Sequence, residues 1–387
     1  MYSDESKIFE TVQNISSTVV SEDASTTDRF ARWPERSIRS FQKEGLGGLT
    51  IPIEYGGLGQ GTNVLAKVCE IIGQHCTNTA LCYGMHAVGS AVIASKATEF
   101  QQEKYLTPIC DGQHLTSIAL HEAGSGSQFY LPQTRMQYHS GSEYNINGAK
   151  SFVLNGGQAD SYIISAVAES SNTPGEQFNC LMADADAAGI QWGERWKGIG
   201  LRGDSSRDLF LDNVKISDQN ILGHFGDQIW YVFNVLTPYF LTAMSGTYLG
   251  IARAAINEVT NHIKNCEFSF NGRALASSSV VQYQLGVLWA KYARSRALVY
   301  YATECYDKDQ DNALIDLFAA KAEVADATIE IVNESITLCG DYAYQENSIL
   351  DLLLRDARAA HIMTPTADIL RIWTGRSILE QPLLADT

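Results

Sequence analysis

A stretch near the middle of the chain switches from helical to strand-like patterning and then back again. Within residues 116–215, short alternating runs surround Gly-Ser and Asn-Gly turns, as in TRMQYHSGSEYNINGAKSFVLNG, a pattern typical of β-hairpins. The runs DSYIISAVA, FNCLMADAD and SSRDLFLDNVKI predict further strands. A β-domain placed between two helical regions restricts the chain to the α+β class.

The regions on either side of this stretch are predicted to be helical. Residues 1–115 show mostly helical patterning, interrupted by the glycine-rich turn IPIEYGGLGQG at 51–61. After residue 226 the period is helical again, and Leu317, Val324, Ile331 and Leu338 recur every seven residues, which predicts an antiparallel bundle. We therefore expect an N-terminal helical domain at 1–115, a central β-barrel or sandwich at 116–222 and a C-terminal four-helix bundle at 223–387.

Charge and hydropathy argue against several classes of protein. Lys+Arg 28 against Asp+Glu 44 gives a net charge of −16, whereas nucleic-acid binding needs clustered Lys and Arg. The longest apolar runs are short, so no membrane-spanning helix is expected, and MYSDESKIFETVQN lacks the apolar core of a secretory signal. The eight cysteines show neither C-x-x-C nor zinc spacing, so we expect reduced thiols, a cytoplasmic location and no metal site.

Six short motifs follow one another along the chain. They are IPIEYGGLGQG, EFQQEKYLTPICDGQHLTSIALHEAGSGSQF, INGAKSFVLNGGQAD, KGIGLRGDSSRDLFLDNVKISDQNILG, LCGDYAYQ and LLLRDARAA. Each motif alone is weakly specific. Together, in this order and over nearly the whole chain, they resemble the acyl-CoA dehydrogenase superfamily, which implies the helical, β and helical-bundle domains expected above.

The resemblance implies an FAD site between the β-domain and the C-terminal helices. The glycines of HEAGSGS let the backbone approach a flat ligand closely. Ser127 stands where family members contact the substrate. The implied substrate is an acyl thioester of coenzyme A or of an acyl-carrier protein, and the implied assembly is a homodimer or homotetramer. From the family pattern, the residues expected to line the flavin are Leu120, His121, Gly126, Ser127, Phe152, Leu154, Thr366 and Asp368.

The carboxylate that family members use as a base is missing from both of its known positions. Such a base must reach the α-carbon of the thioester to remove a proton. Most members carry a Glu in a Tyr-Glu-Gly-Thr segment after Arg-Asp-Ala, and Thr364 stands at that Glu position here. A minority carry it on an earlier helix, where this chain has Phe240 and Leu241. The sequence therefore predicts a site without the usual proton acceptor.

The residues that hold the cofactor in the family are altered as well. His121 and Leu154 replace two threonines beside the flavin, and Phe268 replaces an arginine that reaches the FAD phosphates across a subunit interface. Thr337 and Asp341 replace a Gln and a Gly of the C-terminal bundle motif. We expect FAD to be bound, with FMN or no flavin as the alternatives.

Three functional hypotheses remain open, and the first is a diverged oxidoreductase of the acyl-CoA dehydrogenase type. It would act on CH–CH donors, in specialised or biosynthetic metabolism, with its base relocated. The carboxylates that could replace the missing Glu are Asp368, Asp341 and Glu122, although a structural role is expected for Glu122.

The second hypothesis is a flavin-dependent monooxygenase or oxidase. Related flavin hydroxylases carry a histidine after a similar Arg-Asp segment, and His361 stands there. Histidine is the residue type that commonly serves as an acid–base group near neutral pH. His121 would supply a second titratable group. In the third hypothesis the flavin has been lost, and the chain performs a non-redox reaction or forms one half of a heteromeric pair.

Overall fold

The N-terminal part of the chain is built from helices. The computed structural model describes residues 5–126, 128–169, 178–267, 272–346 and 348–384. π-helical turns at Ser16–Val20 and Gln102–Leu106 join neighbouring helices. The helices of this part are α1 (Glu5–Ile15), α2 (Ser21–Arg29), α3 (Glu35–Lys43), α4 (Thr62–Gly73), α5 (Thr77–Ser95), α6 (Glu99–Gln101) and α7 (Thr107–Cys110).

Helix α5 forms the centre of the molecule. Its sequence, TNTALCYGMHAVGSAVIAS, has small or apolar residues on all faces, and every residue from Thr77 to Ala94 is buried. A helix without a polar face is stable in water only when other elements surround it. Accordingly, α5 packs against α4, against the first strand of the sheet and against the long helix that follows the sheet. This central position places Met85 in the lining of the cavity between the sheet and the helices.

The middle of the chain forms one sheet, with seven strands in the described residues. β4 is the central strand of the sheet. β1 and β2 pair in parallel with one edge of β4, and β5 pairs in the antiparallel direction with its other edge. β3 and β7 form an antiparallel pair that continues the sheet from β2 to β6. The strands are β1 (Thr116–Ala119), β2 (Arg135–Ser140), β3 (Glu143–Val153), β4 (Ser161–Ala168), β5 (Phe178–Asp184), β6 (Ile190–Arg195) and β7 (Arg207–Ser217).

Long helices pack together in the C-terminal part. On α11 the predicted stripe residues Leu317, Val324 and Ile331 are buried against the neighbouring helices, and Leu338 is partly buried. No helix in the described ranges is long and apolar enough to cross a membrane. The helices are α8 (Gln228–Tyr231), α9 (Thr237–Asn265), α10 (Ser279–Asp307), α11 (Ala313–Cys339), α12 (Ile349–Ala357), α13 (Ala359–Ile362) and α14 (Ala367–Ile378), and a π-turn at Val232–Leu236 joins α8 to α9.

Polar contacts fasten the start of the C-terminal site segment to the other two parts. Arg355 on α12 donates a bidentate pair of hydrogen bonds to Asp28 on α2, at 3.0 and 2.7 Å, and a third to the carbonyl of Ile199. The neighbouring Asp356 accepts a 2.7 Å hydrogen bond from the backbone N–H of Leu201. Burial raises the pKa of Asp356 to about 7. The three parts therefore meet at the segment before β7, where the cavity lies.

Candidate functional site

A cavity of about 510 Å³ lies where the sheet meets the helices. Its volume is within the range of pockets that hold cofactors and small substrates. Its walls come from the end of β1, the end of β3, the segment before β7, the start of α9 and the segment from α12 to Pro365. The lining residues used below are Met85, Leu120, His121, Phe129, Phe152, Leu154, Trp196, Lys197, Leu201, Asp204, Leu236, Thr237, Phe240, Arg358, Ala359, Met363 and Thr364.

The sheet side of the cavity carries four residues that the sequence predicts beside a flavin. Leu120, His121, Phe152 and Leu154 all line it. A hydrogen bond of 2.8 Å from the N–H of Ser151 to the carbonyl of His121 holds the ends of β1 and β3 side by side. The two predicted flavin-lining segments, thirty residues apart in sequence, therefore form one wall of one cavity.

Phe152 adopts a strained backbone conformation at the cavity wall. Its φ is +55°, in the left-handed region that a bulky residue rarely enters, and the β3–β7 register shifts between Lys150 and Val153. Such irregularities re-aim side chains next to functional sites. Phe152 is 46% exposed, and its ring contacts His121 edge-on at 5.6 Å and Trp196 at 5.1 Å between centroids. The bulge thus creates an aromatic surface along the cavity.

His121 is the one histidine among the described lining residues. Its Nδ1 is buried and has no well-oriented hydrogen-bond partner in the described part of the chain, although the Gly126 carbonyl is close enough to favour a protonated ring. Burial outweighs that carbonyl and lowers the pKa of His121. At neutral pH the imidazole is therefore neutral, and its Nδ1 makes no well-oriented hydrogen bond within the described residues.

A buried ion pair supports the loop that carries His121. Lys150 Nζ lies 2.6 Å from Glu122 Oε1 and also donates to Ser165 Oγ and to the Ser165 carbonyl. Glu122 accepts further hydrogen bonds from the N–H of Gln133 and from the N–H and hydroxyl of Thr134. Glu122 therefore has the structural role expected for it.

Both members of this pair are charged at neutral pH. Burial by itself raises the pKa of Glu122, but the Lys150 ammonium and the hydrogen bonds from Thr134 and Gln133 outweigh burial and hold the pKa below its usual value. Burial lowers the pKa of Lys150 to about 8, which leaves the ammonium protonated near pH 7. The loop that follows turns through Gly124 and Gly126, whose φ values of +86° and +53° favour glycine.

The helical side of the cavity contains both positions that the resemblance predicts for the family's base. Thr364 and Phe240 line the cavity, and Leu241 is fully buried beside Phe240 in α9. Lys321 on α11 secures the Thr364 segment because its Nζ donates to the carbonyls of Ala360, Met363 and Pro365 at 2.8, 3.3 and 3.0 Å. Burial lowers the pKa of Lys321 to about 7. The Thr364 segment is therefore fixed at the cavity without a carboxylate.

Other predicted catalytic and cofactor-binding residues lie away from the lining. His361 Nε2 is 2.8 Å from Asp326 on α11, an acid that Arg371 also contacts. The side chain of Asp368 is 91% exposed and pairs with Arg371. Thr366 accepts a hydrogen bond from the N–H of Ile369 and so caps α14.

Further predicted positions are exposed or fall outside the described residues. Asp341 and Thr337 are exposed near the end of α11. Gly126 does not reach the cavity wall. Ser127 and Phe268 lie outside the described residues, so their assignments stay predictions.

Asp204 is a lining residue that the sequence did not single out. It is the one carboxylate side chain among the described lining residues, and it is buried. The N–H and the hydroxyl of Ser206 donate to its two oxygens at 2.8 and 2.9 Å. The Asp-Ser-Ser sequence is typical of this local turn, but it does not indicate burial. Burial raises the pKa of Asp204 to about 6.

We expect Asp204→Asn to stabilise the chain above the pKa of the buried carboxyl. Between about pH 4 and pH 6 the Asp204 carboxyl keeps its proton in the folded chain but has lost it in the unfolded chain. The free energy of unfolding therefore falls as the pH rises through this range. The amide keeps both contacts with Ser206 and carries no charge. Thermal unfolding should show a midpoint a few degrees above the wild type at about pH 8 and no difference near pH 4. A lower midpoint at both pH values would contradict this account.

The lining chemistry fits a flat heteroaromatic ring such as that of a flavin. Leu120, Phe152, Leu154 and Met363 supply apolar walls, and the imidazole of His121 is a polar group in the lining. Two lining cations, Lys197 and Arg358, are exposed and suit an anionic part of a ligand. The residues present can thus hold a flavin ring.

Comparison with known proteins agrees with this geometry. Residues 3–113, 117–214 and 241–379 match the models of the acyl-CoA dehydrogenase N-terminal, middle and C-terminal domains. The chain is 28% identical over 374 residues to cyclohex-1-ene-1-carbonyl-CoA dehydrogenase of Syntrophus aciditrophicus (96% of this chain and 89% of that protein). It is also 28% identical to an acyl-CoA dehydrogenase of Bacillus subtilis, with 91% of each chain covered.

Solved structures share the fold. Butyryl-CoA dehydrogenase from Megasphaera elsdenii superimposes with a TM-score of 0.92 at 21% identity (98% of this chain and 99% of that chain). The prolyl acyl carrier protein oxidase AnaB superimposes with a TM-score of 0.86 at 23% identity (98% of this chain and 99% of that chain). The three consecutive domain matches, together with this architecture, show that the chain belongs to the acyl-CoA dehydrogenase superfamily, whose members depend on FAD.

Proposed function

We propose that the chain is a flavin-dependent oxidoreductase that acts on an acyl thioester of coenzyme A or of a carrier protein. One observation carries the proposal: a single cavity is lined both by the predicted flavin wall and by Thr364, at the position of the family's base. The names of the relatives, CoA-thioester dehydrogenases and a carrier-protein oxidase, agree with a thioester substrate. Because a threonine stands where the family carries its catalytic Glu, a specialised reaction is favoured over ordinary acyl-chain breakdown.

The residues that line the two walls of the cavity have different proposed roles. Leu120, Phe152 and Leu154 would hold the ring of FAD, which when bound supplies the redox chemistry. The apolar walls exclude water from the reacting end of the thioester. Phe240 lines the cavity at the second position predicted for the family's base.

The proton acceptor in this proposal is His121. Among the described lining side chains, His121 and Asp204 are the two that can accept a proton near neutral pH. Both oxygens of Asp204 already accept hydrogen bonds from Ser206, whereas Nδ1 of His121 has no well-oriented partner in the described residues. Since burial keeps the imidazole neutral, His121 can take the proton that the missing Glu would have taken.

We expect the FAD-loaded protein to lose its visible flavin absorption when it is mixed with an acyl thioester without oxygen. The expected change is complete within one equivalent of thioester, because each chain provides one such cavity in its described residues. The corresponding free acid serves as the control and should produce no bleaching. If no CoA or carrier-protein thioester bleaches the bound flavin, the dehydrogenase proposal is wrong.

A second candidate, a flavin-dependent oxidase or monooxygenase, is favoured by the absence of a carboxylate at Thr364. In this case His121 would provide the acid–base group, since His361 pairs with Asp326 and is not among the lining residues. The same experiment separates the proposals once oxygen is admitted after the bleaching. An oxidase flavin would also be bleached by the thioester, but oxygen would rapidly restore its visible absorption, whereas the reduced flavin of a dehydrogenase would react slowly with oxygen. A monooxygenase would be bleached by a separate reductase and not by the thioester, and it would form product only after oxygen is admitted.

A further inference from the structure

A residue that lines the cavity carries a buried hydroxyl group without a partner among the described residues. Thr237 is the first residue of α9, its side chain is 1% exposed, and it lines the cavity between Leu236 and Phe240. Its Oγ1 has no hydrogen-bond partner among the described residues. Leaving a buried hydroxyl unsatisfied costs about 1–3 kcal/mol, so such a group calls for an explanation.

Local helix geometry explains why the protein itself does not satisfy this hydroxyl. Threonines inside helices usually donate to the carbonyl four residues earlier, as Thr247 does to Ala243 at 2.8 Å and Thr260 does to Ile256 at 2.6 Å. Thr237 instead follows the π-turn Val232–Leu236, and its N–H bonds to the carbonyl of Val232, five residues back. π-turns of this kind occur frequently at functional sites.

Apolar side chains line the same cavity as Thr237. Leu236, Phe240, Phe129 and Met85 offer no polar side-chain atom other than the thioether sulfur of Met85. An apolar ligand group could not satisfy Oγ1, whereas one hydrogen-bonding atom of a bound ligand would remove the cost. The position therefore selects for a ligand with a polar atom at this point.

We propose that the Thr237 hydroxyl binds a polar atom of the thioester ligand and so determines which thioesters the cavity accepts. This inference rests on the proposed function. The chemistry required is a carbonyl, amide or hydroxyl group within an otherwise apolar chain. Three parts of a thioester carry such groups: the thioester carbonyl itself, the amides of a pantetheine arm, which coenzyme A and carrier proteins share, and a hydroxyl or amino substituent on the acyl group.

The chain offers a matched control for the test. Thr242 also lies on α9, is fully buried and has an Oγ1 without a partner in the described residues, but it does not line the cavity. Thr237→Val and Thr242→Val each remove one unpartnered hydroxyl and keep the β-branched shape. Both variants should unfold at or slightly above the wild-type temperature, because neither loses a protein hydrogen bond.

The experiment measures dissociation constants by calorimetry for three probes: butyryl-pantetheine, 3-hydroxybutyryl-pantetheine and S-propyl thiobutyrate, which has no amide. We expect Thr237→Val to weaken at least one pantetheine thioester about five- to thirty-fold, the value of one hydrogen bond in a buried site. Thr242→Val should change every constant less than about twofold.

The pattern across the probes identifies the polar atom. Equal loss for all three probes assigns the thioester carbonyl. Equal loss for both pantetheine thioesters, with no loss for the S-propyl ester, assigns the arm. Loss confined to the 3-hydroxybutyryl probe assigns the acyl substituent. If Thr237→Val binds every probe as tightly as the wild type and Thr242→Val do, the role of Thr237 is refuted while the proposed function stands. If the wild-type protein binds none of the thioesters, both are refuted.

Discussion

Replacing His121 with glutamine is expected to slow anaerobic reduction of the bound flavin by an acyl thioester by roughly 10²- to 10⁴-fold, the usual contribution of a general base. Glutamine retains a hydrogen-bonding side chain of similar length but cannot take a proton near neutral pH. Flavin binding should therefore survive while the rate falls. Stopped-flow absorbance under anaerobic conditions measures the rate, and the flavin spectrum of the variant checks its binding.

The pH dependence gives this prediction a second readout. A base works only when it is deprotonated, so the wild-type rate should fall on acidification through the pKa of His121. Burial lowers that pKa, which places the acid limb below the ordinary histidine value of about 6.5. His121→Gln should lack the limb. The matched control is His361→Gln, which alters a histidine paired with Asp326 away from the lining and should keep the wild-type rate and profile. A wild-type rate in His121→Gln would place the base elsewhere.

Replacing Lys150 with methionine is expected to reduce the free energy of unfolding by about 3–5 kcal/mol, the cost of leaving a buried charge without its partner. Glu122 would keep its donors from Gln133 and Thr134 but lose the ammonium at 2.6 Å. The change also removes two hydrogen bonds to Ser165. Chemical denaturation near pH 7 measures the loss.

Two further variants separate burial from charge in this prediction. Lys308→Met breaks an exposed ion pair with Glu304 and should leave the unfolding midpoint unchanged. Glu122→Gln combined with Lys150→Met removes both charges and should recover part of the lost stability. If Lys150→Met were no more harmful than Lys308→Met, the pair would not hold the loop that carries His121.

Much of the fold could be predicted from the sequence because its signals are periodic or local. The seven-residue spacing of Leu317, Val324 and Ile331 predicted a buried helix face, which the structure confirms. The β-domain between helices was predicted from turns and alternation, and it is present as one sheet. The pairing of Glu122 with Lys150 was not predicted, because the residues are 28 positions apart and their contact depends on β3 and the loop after β1 folding together.

The site was predictable only where the family motifs mark it. Leu120, His121, Phe152 and Leu154, together with the two vacated base positions at Thr364 and Phe240, come together in one cavity. His361 illustrates the limit: it lies on a helix of four residues, where sequence does not show which face meets Asp326. Asp204 and Thr237 were missed because their importance comes from burial and from a missing partner, which only tertiary packing determines.

FAD uptake tests most directly whether the cavity is a flavin site. The purified chain, stripped of small molecules and titrated with FAD, should bind one FAD per chain, quench its fluorescence and show the visible spectrum of a protein-bound flavin. Ala359→Trp, which fills the buried wall of the cavity, should abolish uptake without unfolding the chain. A folded wild-type chain that stays colourless and binds neither FAD nor FMN would contradict the account and favour a non-redox role.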